Sequence, residues 1–169
     1  PARLTDVVID TLTTSGLLVI WGALFQRVAI RGRIGRIRIN HWIHPTVRAT
    51  EVQGPFDAER AIWYGNVDCA LDISAARFGE FEMRGVPSSL VVRDPTSQVV
   101  VTRERVERNH LRLRPEAIGP HWAFILRLFL ADGDADRVLV CPLGAPKKKR
   151  DELMRGLQLL RAADVALPD

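Results

Sequence analysis

The chain has 169 residues, of which 47% are hydrophobic and 26% are charged, and its formal net charge at pH 7 is +4. This length suffices for one domain with its own hydrophobic core, and the composition excludes a disordered chain, a collagen-like chain and a coiled coil. The two cysteines, Cys69 and Cys141, lie far apart without a CxxC spacing. They are therefore predicted to be buried free thiols, which favours a reducing compartment.

The positive charge is concentrated in the first 50 residues. Seven arginines and only two acids, Asp6 and Asp10, occur in this part, and there is no acid between Thr11 and Thr50. The rest of the chain is nearly balanced, with 17 basic and 18 acidic side chains. Such an asymmetry predicts an anionic partner, either a phosphate backbone or a lipid headgroup.

Residues 7–25, VVIDTLTTSGLLVIWGALF, form a segment whose one charged residue is Asp10. Its length is close to the roughly 20 residues of a membrane-spanning helix. The arginines that follow it would then place the rest of the chain on the cytoplasmic side. The alternative is a buried helix or strand of a soluble domain. We therefore divide the chain into an apolar N-terminal segment, 1–26, that is membrane-seeking or buried, and a single α+β domain, 27–169.

An arginine-rich stretch, RVAIRGRIGRIRIN, follows at residues 27–40. Apolar residues and arginines alternate in it, so the arginines are expected on one face of a strand and the isoleucines on the other. The alternation shifts by one residue at Gly35, which predicts a bulge or a tight turn there. We call its five arginines the arginine ribbon, and they are the predicted anion-binding residues: Arg27, Arg31, Arg33, Arg36 and Arg38.

The remaining chain is predicted to form successive strands followed by one helix. β-Branched runs on either side of residues 94–97 predict a hairpin, and apolar runs at 121–130 and 137–143 predict a second one. A leucine-rich stripe over 153–160 predicts an amphipathic helix after Pro146. The expected fold class is α+β, an antiparallel meander or roll closed by this C-terminal amphipathic helix, with an apolar helix or strand at the N-terminus. This order of elements resembles a pleckstrin-homology-like roll.

The other motifs point to no defined chemistry. DGDAD at 132–136 resembles the start of a calcium loop, but Arg137 stands where that loop needs glycine, so a turn is predicted. PKKKR at 146–150 predicts a solvated helix start or a basic patch. His41 and His44 lack the paired spacing of a closed zinc site, and no known catalytic motif occurs. The sequence thus predicts no catalytic residue, no metal site and no cofactor.

Together these features predict a non-enzymatic binding or scaffold module in the cytoplasm, at the inner face of a membrane. It would be held there through residues 7–25 and through contact of the arginine ribbon with anionic headgroups. The main alternative is a soluble nucleic-acid-binding or assembly protein, in which the ribbon faces phosphate or a partner subunit, including a second copy of the chain. A third interpretation is an enzyme with a pocket near His110 or His121.

Overall fold

The computed structural model describes residues 2–43, 50–109 and 113–168. Its strands are β1 Ala2–Thr5, β2 Val8–Trp21, β3 Ala23–Gln26, β4 Val28–Asn40, β5 Leu71–Asp72, β6 Ala76–Met83, β7 Val91–Val92, β8 Gln98–Thr102 and β9 Asp136–Val140. Its helices are α1 Thr50–Tyr64, α2 Arg103–Asn109, α3 Pro115–Asp132 and α4 Lys147–Ala162.

The first half of the chain winds into a parallel β-solenoid. Strand β1 pairs in parallel with β3, and β2 pairs in parallel with β4. Ala2 lies opposite Ala23 and Val8 opposite Ala29, so the chain returns to an equivalent position after 21 residues. Among β1 to β4, strands that follow each other in sequence thus lie in different sheets, and β1 and β2 each pair with the strand one coil later. This is the arrangement of stacked coils in a solenoid.

A helix interrupts the solenoid between its second and third coils. Val28 pairs with Leu71, and Ile34 pairs with Phe78, so the third coil begins only after the α1 region. Helix α1 lies against the coils, where the Trp63 indole donates a hydrogen bond of 3.0 Å to the Phe25 carbonyl. The parallel stacking resumes after this insertion, because β6 pairs with β4 and β7 pairs with β5.

The solenoid interior is built from stacked aliphatic and aromatic side chains. Ile34 is paired with Phe78 and Ile39 with Met83 in the neighbouring coil, and all four are at most 2% exposed. Burying such a side chain contributes about 1.5–3 kcal/mol to the free energy of unfolding. Stacking like side chains from coil to coil is therefore what holds the solenoid together.

An antiparallel pair of strands, β8 and β9, joins the solenoid to a helical layer, and helices α2 and α3 lie between the two strands in the chain. The alternate side chains of the pair divide between two cores. Val100, Val138 and Val140 pack with the interior of the solenoid. Val99, Val101 and Leu139, with Cys141 just after β9, pack with helices α2 to α4 instead. Because both faces of the strand pair are buried, the two halves of the molecule share it as a common layer.

The expected antiparallel meander, and with it the pleckstrin-homology-like roll, is wrong. The pairings of β1 to β7 are parallel, and among the described strands only β8 and β9 pair as an antiparallel ladder. Alternation of apolar and polar residues identifies the two faces of a strand but does not indicate the direction of its partner. The N-terminal segment 7–25 contributes β2 and β3, so the strand alternative holds there.

Both predicted hairpins are also wrong. Residues 121–130 belong to α3, in which the buried Trp122, Leu126 and Phe129 follow helical spacing. Strand β9 therefore pairs with β8, and β7 pairs with β5. The turn at 94–97 does form, because the Asp94 carboxylate accepts hydrogen bonds from the Thr96 amide and the Ser97 hydroxyl. The C-terminal amphipathic helix is confirmed as α4, with Leu153, Leu157 and Leu160 buried.

Candidate anion-binding surface

Strand β4 presents the arginine ribbon on the outer wall of the solenoid. Arg31, Arg33 and Arg36 are exposed and Arg38 is half-buried, while the isoleucines between them face the interior. The alternation of β4 does shift across Gly35, because Ile34 and Ile37 are both buried and Arg36 is exposed. The predicted bulge does not lie in β4, however: the extra residues, 13–16, belong to β2, and the β4–β6 register passes Gly35 without a shift. Arg27 lies at the corner before β4.

Four of the five ribbon arginines are paired with acids of neighbouring coils. The pairs are Arg27 with Asp6 at 2.6 Å, Arg31 with Asp10 at 3.0 Å, Arg36 with Glu80 at 2.7 Å and Arg38 with Glu82 at 2.7 Å. The hydrogen bonds from Arg27 lower the pKa of Asp6. These acids lie 21 or 44 residues from their arginines in sequence, so the solenoid itself neutralises most of the ribbon.

Arg33 differs from the other four arginines. In the parallel pairing of β4 with β6 it lies opposite Arg77, and both residues are exposed. Neither forms an ion pair with an acid in the described ranges. Like charges directly opposite each other destabilise a pair of strands. The strand register thus places two exposed arginines opposite each other on neighbouring strands, and none of the ion pairs between described residues includes either of them.

The start of α4 adds further cations next to β6. The Gly144 amide donates a hydrogen bond of 2.8 Å to the Phe78 carbonyl, which brings the loop before α4 against the residue that follows Arg77. Lys147, Lys148 and Lys149 in the first helical turn are exposed, and that turn contains no acid and no side-chain cap. We call Arg33, Arg77 and Lys147–Lys149 together the basic surface.

The basic surface combines segments that are separate in sequence. Sequence reasoning identified Arg33 and considered the PKKKR motif by itself, but it missed Arg77. The alternation in ARFGEFEM could have shown that residue 77 faces outward. Its position beside Arg33 depends on the coil register, which no local pattern reveals.

The acids of the DGDAD motif are occupied by arginines. Arg137, whose side chain is only 2% exposed, makes ion pairs with Asp132 at 2.7 Å and with Asp134 at 2.8 Å. Arg84 pairs with Asp132 at 3.1 Å. The described residues contain no cluster of acids, histidines and cysteines able to hold a metal ion. The motif therefore stabilises the junction of α3 and β9.

The histidines do not converge on a common site. His121 is exposed on α3 and lines a small cavity of about 120 Å³ with Glu80 and Lys149, and partial burial lowers its pKa. His41 follows β4, and burial together with Arg60 lowers its pKa. His44 and His110 lie outside the described residues. Both cysteines are free, as predicted, but only Cys141 is buried, while Cys69 is half-buried. Burial raises the pKa of Cys141 to about 11.

A larger cavity of about 410 Å³ lies between α1 and the segments around Gly85 and Asp136. The Asp136 carboxylate accepts a hydrogen bond from the Ser88 amide at 2.9 Å. Burial raises the pKa of Tyr64, in the wall of this cavity, to about 12.

The described residues thus form a β-solenoid joined to a helical layer, with exposed arginines on β4 and β6 and three exposed lysines at the start of α4. Comparisons with models of protein families, with curated proteins and with solved structures gave no match. No helix within the described residues has the length and hydropathy of a membrane-spanning segment.

Proposed function

We propose that the chain is a non-enzymatic binding scaffold whose basic surface contacts the anionic headgroups of a membrane. The observation that carries this proposal is the uncompensated pair Arg33 and Arg77, exposed in adjacent coils. Holding two like charges opposite each other costs stability. A phosphate group bound between them would remove that cost through charge-assisted hydrogen bonds.

The shape of the surface favours an extended polyanion over a small ligand. Neither Arg33 nor Arg77 lines any of the cavities described above. Arginines on an open wall bind each phosphate weakly, and affinity then depends on many contacts made at once. A membrane leaflet provides such a repeated array of phosphates.

The neighbours of the two arginines favour headgroups over nucleic acid. The outward residues of β4 and β6 beside them are arginine and glutamate, so these two strands offer no outward aromatic side chain for base stacking. The aromatic side chains of Phe81 and His121 line the small cavity beside Lys149 instead. Single-stranded nucleic acids are usually bound with such stacking. Because anionic lipids are enriched in the cytoplasmic leaflet, we expect contact from the cytoplasmic side.

Vesicle co-sedimentation tests the proposal. The full chain is mixed with phosphatidylcholine vesicles that contain or lack phosphatidylglycerol, over a range of salt concentrations. We expect binding only to the anionic vesicles and a steep decrease in binding with salt. The double variant Arg33→Ala/Arg77→Ala should weaken binding about thirtyfold, since each basic residue near the surface contributes about 1 kcal/mol.

The matched control removes the same charge elsewhere on the ribbon. Arg27→Ala/Arg31→Ala deletes two exposed arginines that already have acidic partners, so it should weaken binding much less. Equal losses in the two double variants would mean that only net charge matters and would contradict the assignment. Salt-dependent binding to a DNA duplex or to single-stranded RNA, without binding to anionic vesicles, would replace headgroups with nucleic acid as the partner.

A further inference from the structure

The cavity of about 410 Å³ beside α1 lies where three separate segments of the chain meet. One wall is the C-terminal end of α1, the second is the segment from Gly85 to Leu90, and the third is formed by residues 134–136 at the start of β9. Its volume is in the range of small-molecule binding sites, about 300–1,000 Å³. No residue of the basic surface lines this cavity. It is therefore a candidate site for a second kind of ligand.

The cationic group in the wall of this cavity is the guanidinium of Arg60. Its Nη2 atom lies 3.3 Å from an Asp57 carboxylate oxygen. Its Nη1 atom is buried and has no hydrogen-bond partner in the described part of the chain. The guanidinium lies against Gly85, where an added Cβ atom would be only 2.7 Å from Nη1. Because an unpaired buried donor costs stability, an acceptor supplied by a ligand would be favoured next to Arg60.

The anionic group in the wall is the carboxylate of Asp136. It accepts a hydrogen bond of 2.9 Å from the Ser88 amide. None of the ion pairs between described residues includes Asp136, whereas the neighbouring Asp134 pairs with Arg137 at 2.8 Å. The cavity thus has a negative charge in one wall that no described cation neutralises, and a positive charge with unused donors in another.

The rest of the cavity is partly apolar. Val86, Pro87 and Leu90 line it, Val86 is only 6% exposed, and Leu90 packs against the core of the solenoid. An aliphatic group placed against these side chains would be removed from water, which is favourable. A ligand that fits this cavity therefore combines an aliphatic part with polar groups.

We propose that this cavity binds a small zwitterion with an aliphatic side chain, an α-amino acid similar to leucine. Its carboxylate would accept hydrogen bonds from Arg60, and its ammonium group would pair with Asp136. A simple anion would be repelled by the two aspartates of the wall, and a simple cation would be repelled by Arg60. A zwitterion complements both charges at once.

Ligand-observed NMR titrations with the full chain test this inference. The probes are L-leucine and two analogues that each lack one charge: N-acetyl-L-leucine has no ammonium group, and leucinol has no carboxylate. We expect leucine to bind, and each analogue to bind at least about tenfold more weakly, because each leaves one charged group of the wall unpaired. A chain that does not bind leucine, or that binds either analogue as tightly as leucine, would overturn the inference.

Arg60→Gln should weaken the binding of leucine at least about tenfold and that of leucinol much less, because only leucine has the carboxylate that Arg60 contacts. Arg155→Gln is the matched control, since Arg155 is exposed on α4 and does not line the cavity. It should leave the binding of leucine unchanged.

A second variant keeps the inference testable if Arg60→Gln does not fold. Ala61→Phe places a ring in the cavity from an exposed position of α1, so it should abolish the binding of leucine without removing a core residue. Unchanged leucine affinity in either folded variant would overturn the inference. These titrations involve no membrane and no residue of the basic surface, so this inference and the proposed function can fail separately.

Discussion

Gly32 forms a corner of the second coil, where the backbone has a φ of +73°. The equivalent corner of the first coil is Thr11, 21 residues earlier, with a φ of +58°. A Cβ atom on Gly32 would lie 2.7 Å from the Thr11 hydroxyl oxygen and 2.9 Å from an Asp10 carboxylate oxygen. The coils can stack closely at this corner only if one of the two residues has no side chain.

Gly32→Ala is therefore expected to lower the free energy of unfolding by about 1–2 kcal/mol from the left-handed backbone alone, with the close contacts adding to it. Urea unfolding followed by far-UV circular dichroism measures the change. Gly16→Ala is the control, because Gly16 lies in β2 without a positive φ and with no atom within 4 Å of the position of a Cβ. That variant should be neutral or more stable by up to about 1 kcal/mol. Equal effects of the two substitutions would contradict the assigned corner.

At the scale of elements, α3 and α4 pack so closely that Gly156 has no room for a side chain. A Cβ there would lie 2.6 Å from the Trp122 indole nitrogen and 2.7 Å from the Ile118 carbonyl oxygen. The indole also donates a hydrogen bond of 2.9 Å to the Leu153 carbonyl. One small residue thus determines the separation of the two helices.

Gly156→Ala is expected to destabilise the protein by about 1–3 kcal/mol, because the added methyl group forces the helices apart. This outweighs the gain in helix propensity, which is about 1 kcal/mol. Thermal unfolding and the near-UV signal of Trp122 would both report the change. Gln158→Ala, at an exposed position of the same helix, should change stability by less than about 0.5 kcal/mol. A more stable Gly156→Ala variant would show that the helices are not in close contact there.

At the scale of the whole molecule, the antiparallel strands β8 and β9 make the stability of the solenoid and that of the helical layer depend on each other. Val138 and Leu139 are neighbours in sequence, yet Val138 packs with the solenoid and Leu139 packs with the helices. Removing either side chain should therefore weaken both halves. This expectation differs from that for two independent domains, in which each substitution would affect only its own half.

Leu139→Ala is expected to lower the free energy of unfolding by about 2–5 kcal/mol, and Val138→Ala by a smaller amount. In both variants, the far-UV signal of the strands and the near-UV signal of the aromatic residues should change in one coincident transition. Two separated transitions, with the strand signal surviving the loss of the helical layer, would contradict a shared core.

The features that could be predicted from the sequence are those that depend on neighbouring residues. The outward arginines of β4, the shift of alternation at Gly35, the turn at 94–97 and helix α4 were all predicted, because each depends on residues close together in the chain. Residues 121–130 were misassigned because an almost wholly apolar segment fits both a period of two and the spacing of Trp122, Leu126 and Phe129. The candidate site was predicted in part: Arg33 was among the five arginines, but its partner Arg77 was not.

The sequence by itself determined which face of β4 points inward and where the last helix forms, since these follow from local periodicity and backbone preference. Only the tertiary structure decided that the strands run parallel. It also decided that Arg27 and Arg31 form ion pairs with Asp6 and Asp10, whereas Arg33 lies opposite Arg77 on the neighbouring strand. The physical reason is that the pairing of coils depends on where the chain returns after each circuit and after the α1 insertion. The register between coils is set by packing of the whole interior, and it cannot be read from any short stretch of sequence.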